Sequence, residues 1–323
     1  MLAILNSLAV GCDTAKQYAI NSANADGRTP FHRGHGGTNN KLGAAADLVL
    51  LPQVVGDVSP ACLDGSPYGF YPVNVGQTAS TKWTLSIEGG GWCYDEDACL
   101  ARSKMALGTS TVWEKTAGCG CMNIKDDVLP GDVSPMDTEC NCVYMPYGDG
   151  ASFSGYRAKP WPVPNTNETL TFRGIKNFDA TVEWALDHGM RSASEIVLTG
   201  GSAGGLSTFL HMDRLRAVMA RVNPRTVVRG APVVGFFLDH GNFAPESGLV
   251  PNTPNWEVHA NYTAKMKWIY AMQNLTFGAD GGLMAACGEA NAANPHYCFM
   301  SPHMQAFIET PFFSALLLLS PRD

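Results

Sequence analysis

The stretch Ile196-Val-Leu-Thr-Gly-Gly-Ser-Ala-Gly-Gly205 decides how this sequence is interpreted. An apolar run typical of a β-strand ends in Gly200-Gly-Ser-Ala-Gly204, which fits the G-x-S-x-G pattern of a nucleophile elbow, and a helical run follows from Leu206. The elbow needs small neighbours because the turn holds its serine in a strained backbone conformation at the tip of a sheet. The pattern therefore predicts Ser202 as a nucleophile. The alternative is a glycine-rich turn without chemistry.

A second glycine-rich segment, Glu88-Gly-Gly-Gly-Trp-Cys93, follows the alternating run Lys82–Ile87, which predicts a strand. An acyl-transfer enzyme must stabilise the charge that develops on the carbonyl oxygen, and backbone N–H groups fixed in advance do so. With an elbow, one donor is the residue after the nucleophile, here Ala203, and another lies in a glycine loop after an earlier strand. We therefore expect residues 89–91 to lie near Ser202. The alternative is a β-turn that uses glycine for positive φ.

Strand-like and helix-like segments alternate along the chain, as in a mostly parallel sheet with crossover helices. We predict an α/β fold of the α/β-hydrolase type, with flanking helices and disulfide-rich insertions. Residues 1–60 are expected to form a poorly structured N-terminal segment and residues 61–323 a single domain. Beyond 82–87 and the elbow strand, we expect strands at 68–71, 142–147, 226–230 and 316–319, an insertion at 94–142, and helices at 173–189, from the elbow to about Val222, and at 256–275.

Composition excludes several classes of protein. Hydrophobic residues make up 45% of the chain and charged residues 16%, which is typical of a folded globular protein. The net charge of −7, without clustered Lys and Arg, argues against a nucleic-acid partner. No apolar run approaches the roughly 20 residues that a transmembrane helix needs. No metal or organic cofactor is implied.

The ten cysteines predict a disulfide framework formed in an oxidising compartment. The close neighbours in sequence are Cys93 and Cys99; Cys119, Cys121, Cys140 and Cys142; and Cys287 and Cys298. The alternative is a zinc site, but zinc modules usually space the cysteines of each pair more widely than C-x-C.

Sequons for N-glycosylation at Asn167, Asn261 and Asn274 agree with secretion. Residues 1–12 contain a short apolar stretch but lack the positive start of a signal peptide. We therefore expect a secreted glycoprotein, extracellular or in a cell wall, with a weak or missing signal peptide.

Four segments carry a family resemblance: I-E-G-G-G-W-C (87–93), P-Y-G-D-G-A-S-F-S-G (146–155), F-R-G-I-K-N-F-D-A (172–180) and L-T-G-G-S-A-G-G-L-S-T-F-L-H-M-D (198–213). Together they resemble the pectin acetylesterase family, which also includes the palmitoleoyl-protein carboxylesterase Notum. The resemblance runs from about Pro60 to Pro311. It implies a secreted, disulfide-bonded α/β-hydrolase that removes acyl groups with Ser, Asp and His. By motif, the nucleophile is Ser202, and the oxyanion-hole donors are Gly91, Trp92 and Ala203.

The sequence departs from the family in two places. Gly201 and Met212 stand where family members often have cysteines, which implies that one or more family disulfides are missing or rearranged. Thr310-Pro-Phe-Phe313 resembles the strand that leads to the family's catalytic aspartate and later histidine. Here S-A-L-L-L-L-S-P-R-D follows, so the domain is expected to be truncated at its C-terminus.

Neither the catalytic aspartate nor the histidine is identifiable. Asp323 is a candidate aspartate, but it stands on a free end and is better interpreted as an exposed terminal residue. His211, His240 and His303 are alternatives for the base. His211 lies nine residues along the elbow helix, too far from Ser202 for a hydrogen bond.

These patterns and the resemblance predict a serine-dependent carboxylic ester hydrolase that removes acetyl groups from cell-wall polysaccharide. Two alternatives stay open: a catalytically inactive secreted binding protein, and a Notum-like carboxylesterase acting on acylated protein. The expected partner is an acylated carbohydrate or another ester, and the protein is expected to be a monomer.

Overall fold

Strands and helices alternate in the computed structural model, which describes residues 45–53, 59–121, 139–239, 262–277 and 283–315. The strands are β1 (Ala45–Asp47), β2 (Val49–Leu50), β3 (Gly69–Val73), β4 (Lys82–Ile87), β5 (Thr116–Gly118), β6 (Asn141–Met145), β7 (Trp161–Pro162), β8 (Thr169–Leu170), β9 (Glu195–Gly201) and β10 (Val227–Val233). The α-helices are α1 (Glu96–Arg102), α2 (Gly174–Asp187), α3 (Ala203–Val222), α4 (Tyr262–Met272), α5 (Ala285–Ala290) and α6 (Ser301–Met304).

Six strands form the central sheet in the order β10-β9-β4-β6-β3-β2. β10, β9, β4 and β6 are parallel, whereas β3 and β2 add antiparallel pairings at one side. Parallel neighbours need long crossover connections, and α3 supplies the one between β9 and β10. Phe178 of α2 and Leu206 of α3 share a buried hydrophobic core with Leu85 and Leu198 of the sheet. The predicted α/β-hydrolase type of fold, with a mostly parallel sheet, is confirmed.

The predicted elements around the elbow agree closely with the structure. β4 has the predicted bounds, α2 lies within the helix predicted at 173–189, and α3 ends at Val222, directly before Asn223-Pro224. Because β4, β9 and β10 are parallel, their carboxyl ends meet at one edge: Ile87 pairs with Gly200, and Gly201 pairs with Val233.

Residues 311–315 extend the sheet beyond β10. Phe313 N–H donates to the Gly230 carbonyl at 3.0 Å, and Ala315 N–H donates to the Pro232 carbonyl at 3.1 Å. The bridges between this segment and β10 are parallel, and Ala315 is level with Val233. The strand predicted at 316–319 lies outside the described residues.

Two short strands lie ahead of residue 60, where we expected a poorly structured segment. β1 pairs with β5, and β2 pairs with β3 of the central sheet. Both strands are too short for an alternating pattern to reveal them. Residues 1–44 lie outside the described part of the chain, and the division of the chain at residue 60 stays a prediction.

Disulfides form as the cysteine pattern predicted. The pairs are Cys93–Cys99, Cys119–Cys142, Cys121–Cys140 and Cys287–Cys298. The two C-x-C pairs are therefore joined to each other by two disulfides. Cys62 is buried and reduced, and Cys12 lies outside the described residues.

Two of the three sequon asparagines, Asn167 and Asn274, are exposed, and Asn261 is not among the described residues. Within the described ranges, no helix is both long and apolar enough to cross a bilayer.

The start of α3 packs closely against the end of β4 at Gly204, which gives a first prediction. A Cβ on Gly204 would overlap the Ile87 carbonyl oxygen and lie 2.8 Å from the Glu88 oxygen. Because both are backbone atoms, Gly204→Ala should lower the free energy of unfolding by about 1–3 kcal/mol. Gly120→Ala is the control, since no heavy atom of the described residues lies within 4 Å of its Cβ position. Equal urea midpoints for the two variants would contradict this packing.

Candidate active site

Ser202 occupies the sharp turn between β9 and α3. Its backbone has φ 56° and ψ −121°, in the left-handed range that non-glycine residues rarely adopt. The turn is held at both sides: Ser202 N–H donates to the Val233 carbonyl at 2.9 Å, and its carbonyl accepts from Leu206 N–H at 3.0 Å. The residue is partly exposed. This is the geometry expected of a nucleophile elbow.

The glycine loop after β4 borders this turn. A Cβ on Gly89 would overlap the Gly201 carbonyl oxygen and lie 3.2 Å from the Ser202 Cβ. Gly90 and Gly91 have φ values of 152° and 64°, which favour glycine at both positions. The glycine loop therefore packs against Ser202 at the edge of the sheet where the carboxyl ends of the parallel strands meet.

Three contacts fix the loop. Arg102 of α1 donates from Nη2 to the Gly90 carbonyl at 2.5 Å. The Cys93–Cys99 disulfide joins the end of the loop to α1. The indole Nε1–H of Trp92 donates to Ser152 Oγ at 2.8 Å, and its ring packs edge-on against Phe237 with centroids 4.7 Å apart.

Ser152 belongs to a buried turn formed by residues 149–154, here called the Asp149 turn. Asp149 Oδ2 accepts from the backbone N–H groups of Ala151 at 3.2 Å and Phe153 at 2.9 Å. Ser152 and Phe153 have φ values of 56° and 59°, which is uncommon for non-glycine residues. Burial raises the pKa of Asp149 to about 7, and the two backbone hydrogen bonds and the Arg102 charge only partly oppose the shift.

His211, one of the histidines considered from the sequence, is buried and bonds elsewhere. Its Nε2 lies 2.9 Å from the Phe153 carbonyl, which can only accept, so the proton is on Nε2. The ring stacks on Phe178. Burial lowers the pKa of His211 to about 3, so it is neutral at physiological pH. His211 therefore supports the Asp149 turn.

His303 forms a pair with Asp239, whose Oδ2 accepts from His303 Nε2 at 3.0 Å. Asp239 also accepts from Thr263 Oγ1 at 2.8 Å. Burial alone would raise the pKa of Asp239, but these two hydrogen bonds and the nearby His303 charge outweigh it and lower the pKa. His240 and Asp323 lie outside the described residues.

The proton-transfer groups are thus not assembled in the part of the chain that the structure describes. None of the described histidines is hydrogen-bonded to the Ser202 hydroxyl. Over the same residues, no group of three or more His, Cys, Asp and Glu side chains is arranged to hold a metal ion.

Sequence reasoning did not assign roles to Arg102, Asp149 or Ser152. The sequence did point to Asp149 and Ser152, because both lie in G-D-G-A-S-F-S-G, part of a segment that carried the family resemblance. The contact of Ser152 with Trp92 joins residues that are 60 positions apart in the chain, which no local pattern reveals.

The sheet topology, the strained serine and the adjoining glycine loop define a protein of the α/β-hydrolase type. A model of the pectinacetylesterase family matches residues 40–317. The chain belongs to this family.

Curated relatives include Arabidopsis thaliana pectin acetylesterase 5, which is 35% identical over 53% of this chain and 39% of its own length. Pectin acetylesterase 11 from the same plant is 26% identical over 84% of this chain and 62% of its own. Human palmitoleoyl-protein carboxylesterase NOTUM is 28% identical over 58% of this chain and 36% of its own. The chain therefore spans less than two thirds of each of these relatives.

A crystal structure of the Wnt deacylase Notum from Drosophila shares the fold. The match has a TM-score of 0.66 at 24% identity and covers 84% of this chain and 71% of that chain.

The buried carboxyl group of Asp149 gives a second prediction. Its pKa is about 7 in the folded protein against 3.8 as the ordinary value, so the folded state binds this proton more tightly than the unfolded chain. The stabilisation is complete below pH 3.8 and is lost as the pH rises through 7. Asp149→Asn keeps an acceptor for Ala151 and Phe153 and cannot ionise.

The free energy of unfolding of the wild-type protein should therefore fall relative to Asp149→Asn between pH 4 and 7, by at most about 1.4 kcal/mol per pH unit. Urea unfolding of both proteins at several pH values measures the difference in the free energy of unfolding. Contributions from the other titratable groups cancel in this difference. A difference that is constant with pH would show that Asp149 does not titrate in this range.

Proposed function

We propose that the protein is a serine-dependent carboxylic ester hydrolase. The observation that carries this proposal is the strained Ser202 at the carboxyl edge of the sheet, with Gly89 of the glycine loop packed against it. Membership of the pectinacetylesterase family supports the same reaction class.

In this mechanism, Ser202 Oγ attacks the ester carbonyl and forms a tetrahedral intermediate, which expels the alcohol and leaves an acyl-serine. Water then hydrolyses the acyl-serine to release the acid and free Ser202. Gly91, Trp92 and Ala203 are the proposed donors to the oxyanion. Ala203 is the first residue of α3, and the first amides of a helix have no acceptor within the helix. The positive end of the helix dipole also favours an anion there. Loss of one such donor costs about 10²–10³ in turnover.

A base must accept the Ser202 proton during acylation, and an acidic group must orient that base. None of the described histidines is hydrogen-bonded to Ser202, so Asp323 and His240 stay the candidates that the sequence offers for these two groups.

The proposed substrate is an acetylated cell-wall polysaccharide. Support comes from pectin acetylesterase 5, at 35% identity, compared with 28% for human NOTUM. Action on an acylated protein is the alternative within the same reaction class. We also propose that the protein is a secreted, glycosylated monomer, and the four disulfides and two exposed sequon asparagines support secretion.

A second candidate function is a secreted binding protein without catalysis. The observation in its favour is that none of the described histidines bonds to the Ser202 hydroxyl. Without a base, Ser202 should retain only a small fraction of the activity, since loss of a triad member costs about 10⁴-fold or more.

The third prediction separates the two functions. The wild-type protein should hydrolyse p-nitrophenyl acetate above the buffer blank, and Ser202→Ala should reduce turnover to the blank because the attacking oxygen is lost. Ser207→Ala is the matched control, because Ser207 is buried in α3, the helix that begins directly after Ser202. The activity of this variant should equal that of the wild-type protein. Acetate release from acetylated pectin, compared with fatty-acid release from an acylated peptide, identifies the substrate.

Equal rates for the wild-type protein and Ser202→Ala would contradict the hydrolase proposal. If both also equal the blank, the binding protein is the better description.

A further inference from the structure

The hydrogen bond from Trp92 to Ser152 joins the glycine loop to the Asp149 turn inside the protein. Ser152 is fully buried, and Trp92 is 8% exposed, so water does not compete freely for the indole N–H. A buried donor without an acceptor is unfavourable, which favours a single orientation of the indole. A second link lies beside it, because Cys93 N–H donates to the Gly150 carbonyl at 3.2 Å.

The acceptor is itself held in place. Ser152 N–H donates to the hydroxyl of Tyr147 at 2.8 Å, so both the backbone and the side chain of Ser152 are engaged. The carboxylate of Asp149 binds the N–H groups on either side of Ser152, those of Ala151 and Phe153. Ser152 is therefore a fixed point to which the loop is attached.

The same turn is attached to the helix that carries the serine. His211 of α3 donates from Nε2 to the Phe153 carbonyl, and α3 begins directly after Ser202. The Asp149 turn thus connects the two sources of backbone donors, the glycine loop on one side and the start of α3 on the other. Glycines allow the loop many backbone conformations, so its position depends on such attachments.

We propose that Ser152 is a positioning residue for the oxyanion hole. Its hydroxyl accepts the indole N–H of Trp92 and thereby sets where the Gly91 and Trp92 amides lie relative to Ser202. Ser152 acts through Trp92 and has no contact with the substrate. This inference rests on the proposed hydrolase function.

The fourth prediction compares two serines of the same turn. Ser152→Ala should lower kcat for p-nitrophenyl acetate by about 10- to 100-fold with little change in KM, because displaced donors act on the transition state. Ser154→Ala is the matched control: Ser154 is also buried, and its hydroxyl donates to the Ala151 carbonyl, away from Trp92. Its kcat should fall much less than that of Ser152→Ala, because the variant leaves the bond between Trp92 and Ser152 in place.

Trp92→Phe tests the same bond from the other side, since it removes the indole donor and keeps a ring against Phe237. Its kcat should fall as in Ser152→Ala, and the double variant should be no slower than either single variant. Equal kcat values for Ser152→Ala and Ser154→Ala would overturn the proposal, as would full additivity in the double variant.

Hydrogen exchange of the amides at residues 89–92 separates this inference from the proposed function. Exchange should be faster in Ser152→Ala than in wild type and Ser154→Ala. If wild type shows no esterase activity, the proposed function fails, and exchange then decides the positioning role alone. Unchanged exchange in Ser152→Ala would overturn it.

Discussion

The left-handed backbone of Ser202 is the constraint on which the rest of the site depends. A non-glycine residue in such a conformation costs about 1–3 kcal/mol and persists only where the surroundings enforce it. Here Val233 and Leu206 bind its backbone on either side, and Gly89 and Gly204 allow β4 to approach closely. The strained turn places the hydroxyl at the edge where the parallel strands end.

The proposed nucleophile and the proposed oxyanion loop are held in place by buried polar contacts. Asp149, Ser152 and His211 are all buried. Asp149 binds two amides of its own turn, whereas Ser152 and His211 bond to Trp92 and Phe153 of other segments. Buried hydrogen bonds are directional, so they define one arrangement more sharply than apolar packing does.

Much of the fold could be predicted from local patterns. The alternation in Lys82–Ile87 gave β4 with its observed bounds, helical spacing gave α2, and the elbow pattern located the junction of β9 and α3. The loop at 89–91 was expected near Ser202 because a glycine-rich segment follows an earlier strand in a chain with an elbow, and Gly89 lies against Ser202. These features are encoded within short stretches of sequence.

The remainder depends on contacts between distant segments. Ser152 and Phe153 adopt left-handed conformations without glycine, because Asp149 and Tyr147 hold the turn. His211 could not be assigned from sequence, since its partner Phe153 is 58 positions away. The strands β1 and β2 were missed because runs of three and two residues carry no readable period.

The central claim is that the Ser202 hydroxyl and the amides of the glycine loop face the same small volume. A crystal structure of the protein treated with an organophosphonate ester, which forms a tetrahedral adduct on an attacking serine, tests this most directly. The account predicts phosphorus on Ser202 Oγ, with its free oxygen about 2.7–3.1 Å from the amide nitrogens of Ala203 and of Gly91 or Trp92. An adduct whose oxygen points away from the loop into solvent would contradict it.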